Sequence, residues 1–251
     1  MPRFFVPSEG FDEKTVSITG DDAWHIARSL RMAVGESITV CDPQGYEHGC
    51  TLQRITDDLV VACVETSERS ASEMPFDVVL YQALPKGDKM DLIVQKAVEE
   101  GASRIVPFVS ERCVSRPDGA ALQKKCARWQ RIALEAAKQC GRGRVPTIGA
   151  PLSYAQMLTE AAKASVGCFC YEGDGTVSLR TLLGEKHAPH IPPGDLTSLS
   201  LVIGSEGGIS EREAAAASDA GLTLCGLGRR ILRCESASGF ALACISYEFE
   251  L

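Results

Sequence analysis

The chain has 251 residues, 45% of them hydrophobic and 24% charged, with a net charge of −7. That is enough apolar material for one large domain or two modest ones, and too little bias for a disordered or fibrous chain. No apolar run reaches the roughly 18 residues a membrane span needs, and the opening MPRFFVPSEG has no apolar signal core, so a cytoplasmic location is expected.

Eleven cysteines form no CxxC pair, and the four histidines form no ligand set. The cysteines therefore read as reduced, mostly buried small residues, and no metal is expected. Cys168 and Cys170 share one face of an expected strand, where packing is favoured over redox or metal chemistry.

The charge is unevenly spread. Residues 1–74 hold 6 basic and 13 acidic residues, whereas Arg104 to Arg144 carries ten basic residues against three acidic. The latter is either a polyanion footprint or a solvated helix face.

In residues 1–74, short alternating runs at Ser17–Thr19, Ser37–Cys41, Gly49–Leu52 and Leu59–Val64, with one helix at about Asp22–Leu30, predict a small β-barrel. The polar run Glu65–Glu73 reads as a linker, giving domains over 1–72 and 73–251.

Beyond it the period changes. An apolar strand at Asp77–Leu84 breaks at Pro85-Lys86-Gly87, and Met90, Ile93, Val94, Ala97 and Val98 then repeat at helical steps up to a stop at Gly101. Ile105–Val109 is the next strand, and a long amphipathic helix covers about Gly119–Gln139. Ser153 with Gln156 caps a helix to about Ala164, Val166–Tyr171 is a strand, and Gly184–Ser198 is a surface loop.

Leu201-Val202-Ile203 then ends at Gly204, passes through Glu206-Gly207-Gly208, and enters a helix signalled by the capping box Ser210/Glu213. Leu222–Cys225 breaks at Gly226 and Gly228, and a last helix begins near Glu235. Alternating strands and helices predict a mostly parallel sheet, whose ligand sites lie at the carboxyl ends of strands. Both glycine turns lie there.

Neither turn has phosphate-loop spacing, and no nucleophile elbow is present. Glu206 beside exposed backbone suits a cationic or neutral ligand better than an anion. Arg229, Arg230 and Arg233 are open to phosphate binding or to surface ion pairs.

These residues resemble the RsmE family, SPOUT-superfamily methyltransferases that modify N3 of a uridine in bacterial 16S rRNA. The resemblance is carried by Gly204-x-Glu206-Gly207-Gly208 and Leu227-Gly228-x-Arg230-Ile231-Leu232-Arg233-x-Glu235-x-Ala237. In order before them come Arg3-Phe4-Phe5, His25-x-x-x-Ser29-Leu30-Arg31-Met32, Lys86 through Lys89-Met90-Asp91 to Glu99, Pro107 to Arg112, Arg128-Trp129 to Arg142, and Val145-Pro146. Ser205 departs from the family's usual proline, and Cys234 and Ser236 from its frequent threonines.

The resemblance implies an α/β fold: a SPOUT-type parallel sheet with a C-terminal deep trefoil knot, preceded by a small PUA-like β-barrel that helps bind RNA. It implies S-adenosylmethionine held in the knot by Leu84, Ile203, Gly204, Gly207, Gly208, Leu227, Gly228, Ile231 and Leu232, and a homodimer completing each site. Glu206 or a nearby water is expected to take the uridine N3 proton, or Glu206 only orients the loop, with Arg142 or Arg233 stabilising charge on the base carbonyls. Arg112, Lys124, Arg128, Arg131 and Arg142 are the expected contacts to 16S rRNA or the small ribosomal subunit. A non-catalytic RNA-binding or assembly factor, or a related enzyme acting on tRNA or a ribose 2′-hydroxyl, are the alternatives.

Overall fold

The computed structural model describes residues 1–184 and 196–251, so most of the loop expected at Gly184–Ser198 lies outside the described residues. Two units emerge by internal contact: Met1–Glu73 with Ala137–Val145, and Met74–Ala136 with Pro146–Leu251.

The first unit holds β1 (Arg3–Phe5), β2 (Phe11–Asp12), β3 (Thr15–Thr19), α1 (Asp21–Trp24), β4 (Ser37–Cys41), β5 (Tyr46–Ile55) and β6 (Leu59–Arg69). The strands form one sheet in the order β1-β4-β5-β6-β3-β2, antiparallel except where β1 runs parallel to β4. Alternation put the apolar side chains on one face: Phe4, Val16, Ile18, Ile38, Val40, Leu52, Val60 and Ala62 bury together with Ala23 and Ile26 of the short helical segment.

The polar run read as a linker departs from expectation. Residues 65–69 continue β6 and pair with β5 from Gly49↔Thr66 to Tyr46↔Arg69. Thr66 to Arg69 are exposed along this extension, so no apolar alternation marked it as a strand.

The second unit contains β7 (Asp77–Ala83), α2 (Lys89–Glu99), β8 (Arg104–Val109), α3 (Gly119–Cys140, whose last residues group with the first unit), β9 (Thr147–Ile148), β10 (Leu152–Ser153), α4 (Tyr154–Ala161), β11 (Val166–Cys170), β12 (Val177–Ser178), α5 (Leu179–Leu183), β13 (Ser198–Ile203), α6 (Glu211–Asp219), β14 (Thr223–Gly226) and α7 (Cys234–Glu250). Every strand pairing in it is parallel, in the order β10-β8-β7-β13-β11-β14-β12, with β9 alongside β8.

Parallel strands covered on both faces read as continuous apolar runs. Leu199 to Ile203 are all buried, as are Val78, Leu80, Tyr81 and Ala83 of β7. On the faces, α2 packs on α7 and α4 on β8 and β13. Both expected capping boxes form, Ser153 with Gln156 and Ser210 with Glu213. The order matters for the site: β13 and β14, whose carboxyl ends carry the two glycine turns, flank β11 on either side.

Candidate active site

A cavity of about 570 Å³ opens at those strand ends, within the range of small-molecule sites. Ile203, Gly204, Gly207, Gly208, Leu227, Gly228, Ile231 and Leu232 line it, so eight of the nine expected cofactor residues come together. Leu84 does not join them: it is 2% exposed, and its N–H donates to the Phe108 carbonyl inside the core.

The first turn is fixed from several sides. The buried Gln82 amide donates to the Gly204 carbonyl at 3.1 Å, the Arg112 guanidinium donates to the Gly207 carbonyl at 3.3 Å, and the Gly208 N–H returns to the Ser205 carbonyl at 2.9 Å. Gly207 is needed for clearance: a Cβ there would stand 2.8 Å from the Arg112 carbonyl oxygen.

Glu206 is the most engaged side chain. Its carboxylate accepts the Lys86 N–H at 3.1 and 3.3 Å and pairs with Lys89 Nζ at 2.8 Å; the same ammonium lies 3.4 Å from Glu235. Burial acts to raise the Glu206 pKa, but the Lys89 hydrogen bond and backbone N–H groups, with the Lys89 charge, outweigh it and hold the carboxyl below its ordinary value. A carboxylate held in that way is a weaker proton acceptor.

Arg233 lies at the N-cap of α7 and, with Arg229 and Arg230, lines the cavity. Arg142 is elsewhere: it is 4% exposed, and its guanidinium grips Glu73 at 2.6 and 2.9 Å within the first unit. Among the other expected RNA contacts, Arg112 holds the Gly207 turn and Arg128 pairs with Asp91 at 2.5 Å, an oxygen pair that also receives the Trp129 indole N–H. Lys124, Arg128 and Arg131 are exposed at i, i+4 and i+7, one face of α3.

Sequence reasoning missed several lining residues, Lys89, Glu172 and Ser205 among them. Lys89 and Glu172 each follow the carboxyl end of a parallel strand, the position rule that would have found them. Ser205 was noted only as a departure. It is 7% exposed, lines the cavity, and its hydroxyl has no hydrogen-bond partner among the described residues. Cys234 also lines the cavity, where burial and the neighbouring Glu235 and Glu206 push its thiol up to about 12, disfavouring the thiolate.

The residues fit S-adenosylmethionine. An orphaned hydroxyl awaits a polar group. Ile203, Leu227 and Leu232 supply apolar wall, Glu172 and Glu206 give negative charge suited to a sulfonium, and three arginines suit a carboxylate. Among the described residues no group of side chains could hold a metal ion, and no helix is long and apolar enough to cross a membrane.

Comparison with known proteins agrees with this chemistry. The family model for the RNA methyltransferase domain matches residues 72–246, and that for the RNA methyltransferase PUA domain matches residues 18–62. The chain is 36% identical to the ribosomal RNA small subunit methyltransferase E of Bacillus subtilis, with 100% of this chain and 98% of the relative covered. It is 31% identical to the Synechocystis enzyme of the same name, covering 97% of this chain and 77% of that one. Among solved structures it is similar to the Neisseria gonorrhoeae ribosomal RNA small subunit methyltransferase E bound to S-adenosyl methionine, at a TM-score of 0.84 and 29% identity over 98% of this chain and 97% of that one. The glycine turns, the cavity between them and these full-length matches together assign the chain to the ribosomal RNA small subunit methyltransferase E family.

Proposed function

We propose that the protein methylates N3 of a uridine in 16S rRNA, with S-adenosylmethionine bound between the glycine turns. The observation that carries this reading is the cavity itself: glycine backbone, an unpartnered buried hydroxyl at Ser205 and paired positive and negative groups at the ends of parallel strands, in a chain of this family. The β7-β13-β11-β14 order is compatible with the deep trefoil knot implied by the family resemblance.

The cofactor supplies an electrophilic methyl group on a sulfonium. The chain's own contribution is positioning and electrostatics. Glu206, anchored by Lys86 and Lys89, keeps the first turn in one shape rather than acting as the base. Arg230 and Arg233 at the cavity supply positive potential that stabilises the uridine anion once its N3 proton leaves to water. The exposed face of α3 carrying Lys124, Arg128 and Arg131 supplies phosphate contacts, and Arg142 acts through the Glu73 pair as a structural cation.

The working form is a homodimer. Phe240 and Tyr247, 43% and 72% exposed, lie at i and i+7 on α7, and Ile231 at the cavity is 88% exposed. A second copy seated on this face of α7 would cover Phe240 and Tyr247. Incubation with unmethylated small-subunit particles and labelled cofactor, followed by nucleoside analysis, should give 3-methyluridine; label on a 2′-oxygen or in tRNA overturns the assignment. Sedimentation should give a dimer that Tyr247→Glu weakens.

A further inference from the structure

Two of the resemblance-bearing segments contribute nothing to the cofactor cavity: Arg3-Phe4-Phe5 and the stretch from Arg142 to Val145. Within the first unit they meet around a second cavity, of about 330 Å³, lined by Phe5, Val6, Pro7, Cys41, Asp42, Pro43, Arg144 and Val145.

Its construction follows from the sheet. β1 and β4 run parallel with Phe5 opposite Cys41, and both leave the sheet into proline, Val6-Pro7 and Asp42-Pro43. The Val6 N–H still donates to the Cys41 carbonyl at 3.0 Å, so the two strands end at one level and leave a gap beyond it. Rigid proline rings wall the gap because their φ is fixed. The 142–145 segment is tied to the same edge, where Arg3 donates to the Arg142 carbonyl at 3.2 Å and to Glu47 at 2.9 Å, and the N–H groups of Gly143 and Arg144 both donate to Glu73.

Arg144 is the distinctive group. Its guanidinium donates to the Gln44 carbonyl at 2.9 Å and lies directly on Gly45, where a Cβ would come within 2.5 Å of Nε. It forms no ion pair among the described residues, unlike Arg3, Arg142 and Lys138 of the same unit, each paired with a carboxylate. A planar cation held at a fixed height, a half-buried phenyl ring and rigid apolar walls, with the Asp42 carboxylate beside them, are the chemistry that takes up an unstacked nucleobase.

We propose that this cavity is a second RNA subsite, which takes one flipped-out base of the substrate RNA between Phe5 and Arg144, apart from the base that is methylated. This rests on RNA being the substrate. The subsite makes the acidic first unit a reader of RNA shape through one stacked base rather than through phosphate charge. It thereby accounts for how a unit rich in carboxylates engages a polyanion.

The test uses the full chain and a short fluorescent single-stranded RNA of mixed sequence, titrated at several salt concentrations. Phe5→Leu keeps an apolar side chain but removes the aromatic face, and Arg144→Lys keeps the charge but removes the plane. Each should weaken binding roughly five- to a hundredfold, the scale of one stacked base. The slope of affinity against salt should not change, because no phosphate contact is lost. Phe5→Trp should retain affinity, and calorimetric binding of S-adenosylmethionine should be the same in all variants. Wild-type affinity in both Phe5→Leu and Arg144→Lys, or a loss seen only as a changed salt slope, overturns the subsite. Methyl transfer to small-subunit particles separates the two readings: normal KM for the particle in both variants sinks the subsite alone, whereas no transfer by the wild type sinks the functional assignment.

Discussion

The two glycine turns of the cofactor cavity are built on opposite principles. The first, Gly204–Gly208, is held by Gln82, Lys86 and Lys89 from the end of β7 and the start of α2, and by Arg112 after β8. The second, Leu227–Leu232, makes no hydrogen bond among the described residues, and its Ile231 is almost fully exposed. One wall of the cavity is thus set before any ligand arrives, and the other takes its shape from what it closes on. Preorganising one side lowers the ordering cost of binding while the other side stays open for entry.

The largest effect expected from breaking this contrast comes from Gly207→Ala. The new Cβ meets the Arg112 backbone, which cannot swing aside, and overpacking of this kind costs about 1–3 kcal/mol. S-adenosylmethionine affinity by calorimetry should fall tenfold or more. Gly228→Ala in the second turn has a φ of 107° to strain but nothing within 4 Å to strike, so about 1–2 kcal/mol of backbone strain is expected without any clash. Equal losses in the two variants would erase the distinction between a fixed and an adaptable turn.

Glu206→Gln sharpens what the fixed turn does. The amide can still accept the Lys86 N–H but loses the Lys89 charge pair, so a rise in KM for the cofactor and a fall in kcat of less than tenfold are expected. A loss of about 10²–10⁴ in kcat would mark Glu206 as the proton acceptor instead. Steady-state kinetics at saturating RNA measure both.

Ser205→Ala is smaller and has two signs. Removing an unpartnered buried hydroxyl should leave the free protein as stable or more stable in thermal denaturation. Losing one hydrogen bond to the cofactor should weaken its binding by about 0.5–1.5 kcal/mol. Weakened binding together with lowered stability would mean that the hydroxyl serves the fold and not the ligand.

Much of this unit was legible in the sequence because its signals are local. Period changes marked β7 and α2, capping boxes fixed the starts of α4 and α6, and glycines marked both turns. The residues that brace the first turn were not legible, because each reaches it across more than 90 positions of chain: Gln82 to Gly204, Lys86 to Glu206, Arg112 to Gly207. A basic count over Arg104–Arg144 likewise cannot separate exposed Lys124 and Arg131 from Arg142, which is consumed by Glu73. The extension of β6 went unseen because a hairpin exposed along its length has no apolar period to read.

The adaptable turn still needs a firm base, and α7, which follows it, rests on α2 beside a half-buried carboxylate. Glu100 caps α2 with Oε2 unpartnered, and a Cβ at Gly239 of α7 would stand 3.2 Å from its Oε1. Burial pushes this carboxyl up to about 7, with Lys96 acting to lower it and Glu99 to raise it. The folded state therefore holds the Glu100 proton more tightly than the unfolded chain does. Its contribution to stability is complete below the ordinary value of 4.5 and is lost as pH rises towards about 7. Glu100→Gln removes that dependence, and with partial solvent screening the variant should gain about 1 kcal/mol over the wild type at pH values above about 7 and nothing below the ordinary carboxyl range. Denaturant unfolding at the two extremes measures the difference. A gap that does not change with pH would mean that Glu100 is solvated in the folded state, and that α7 carries the second turn on apolar packing alone.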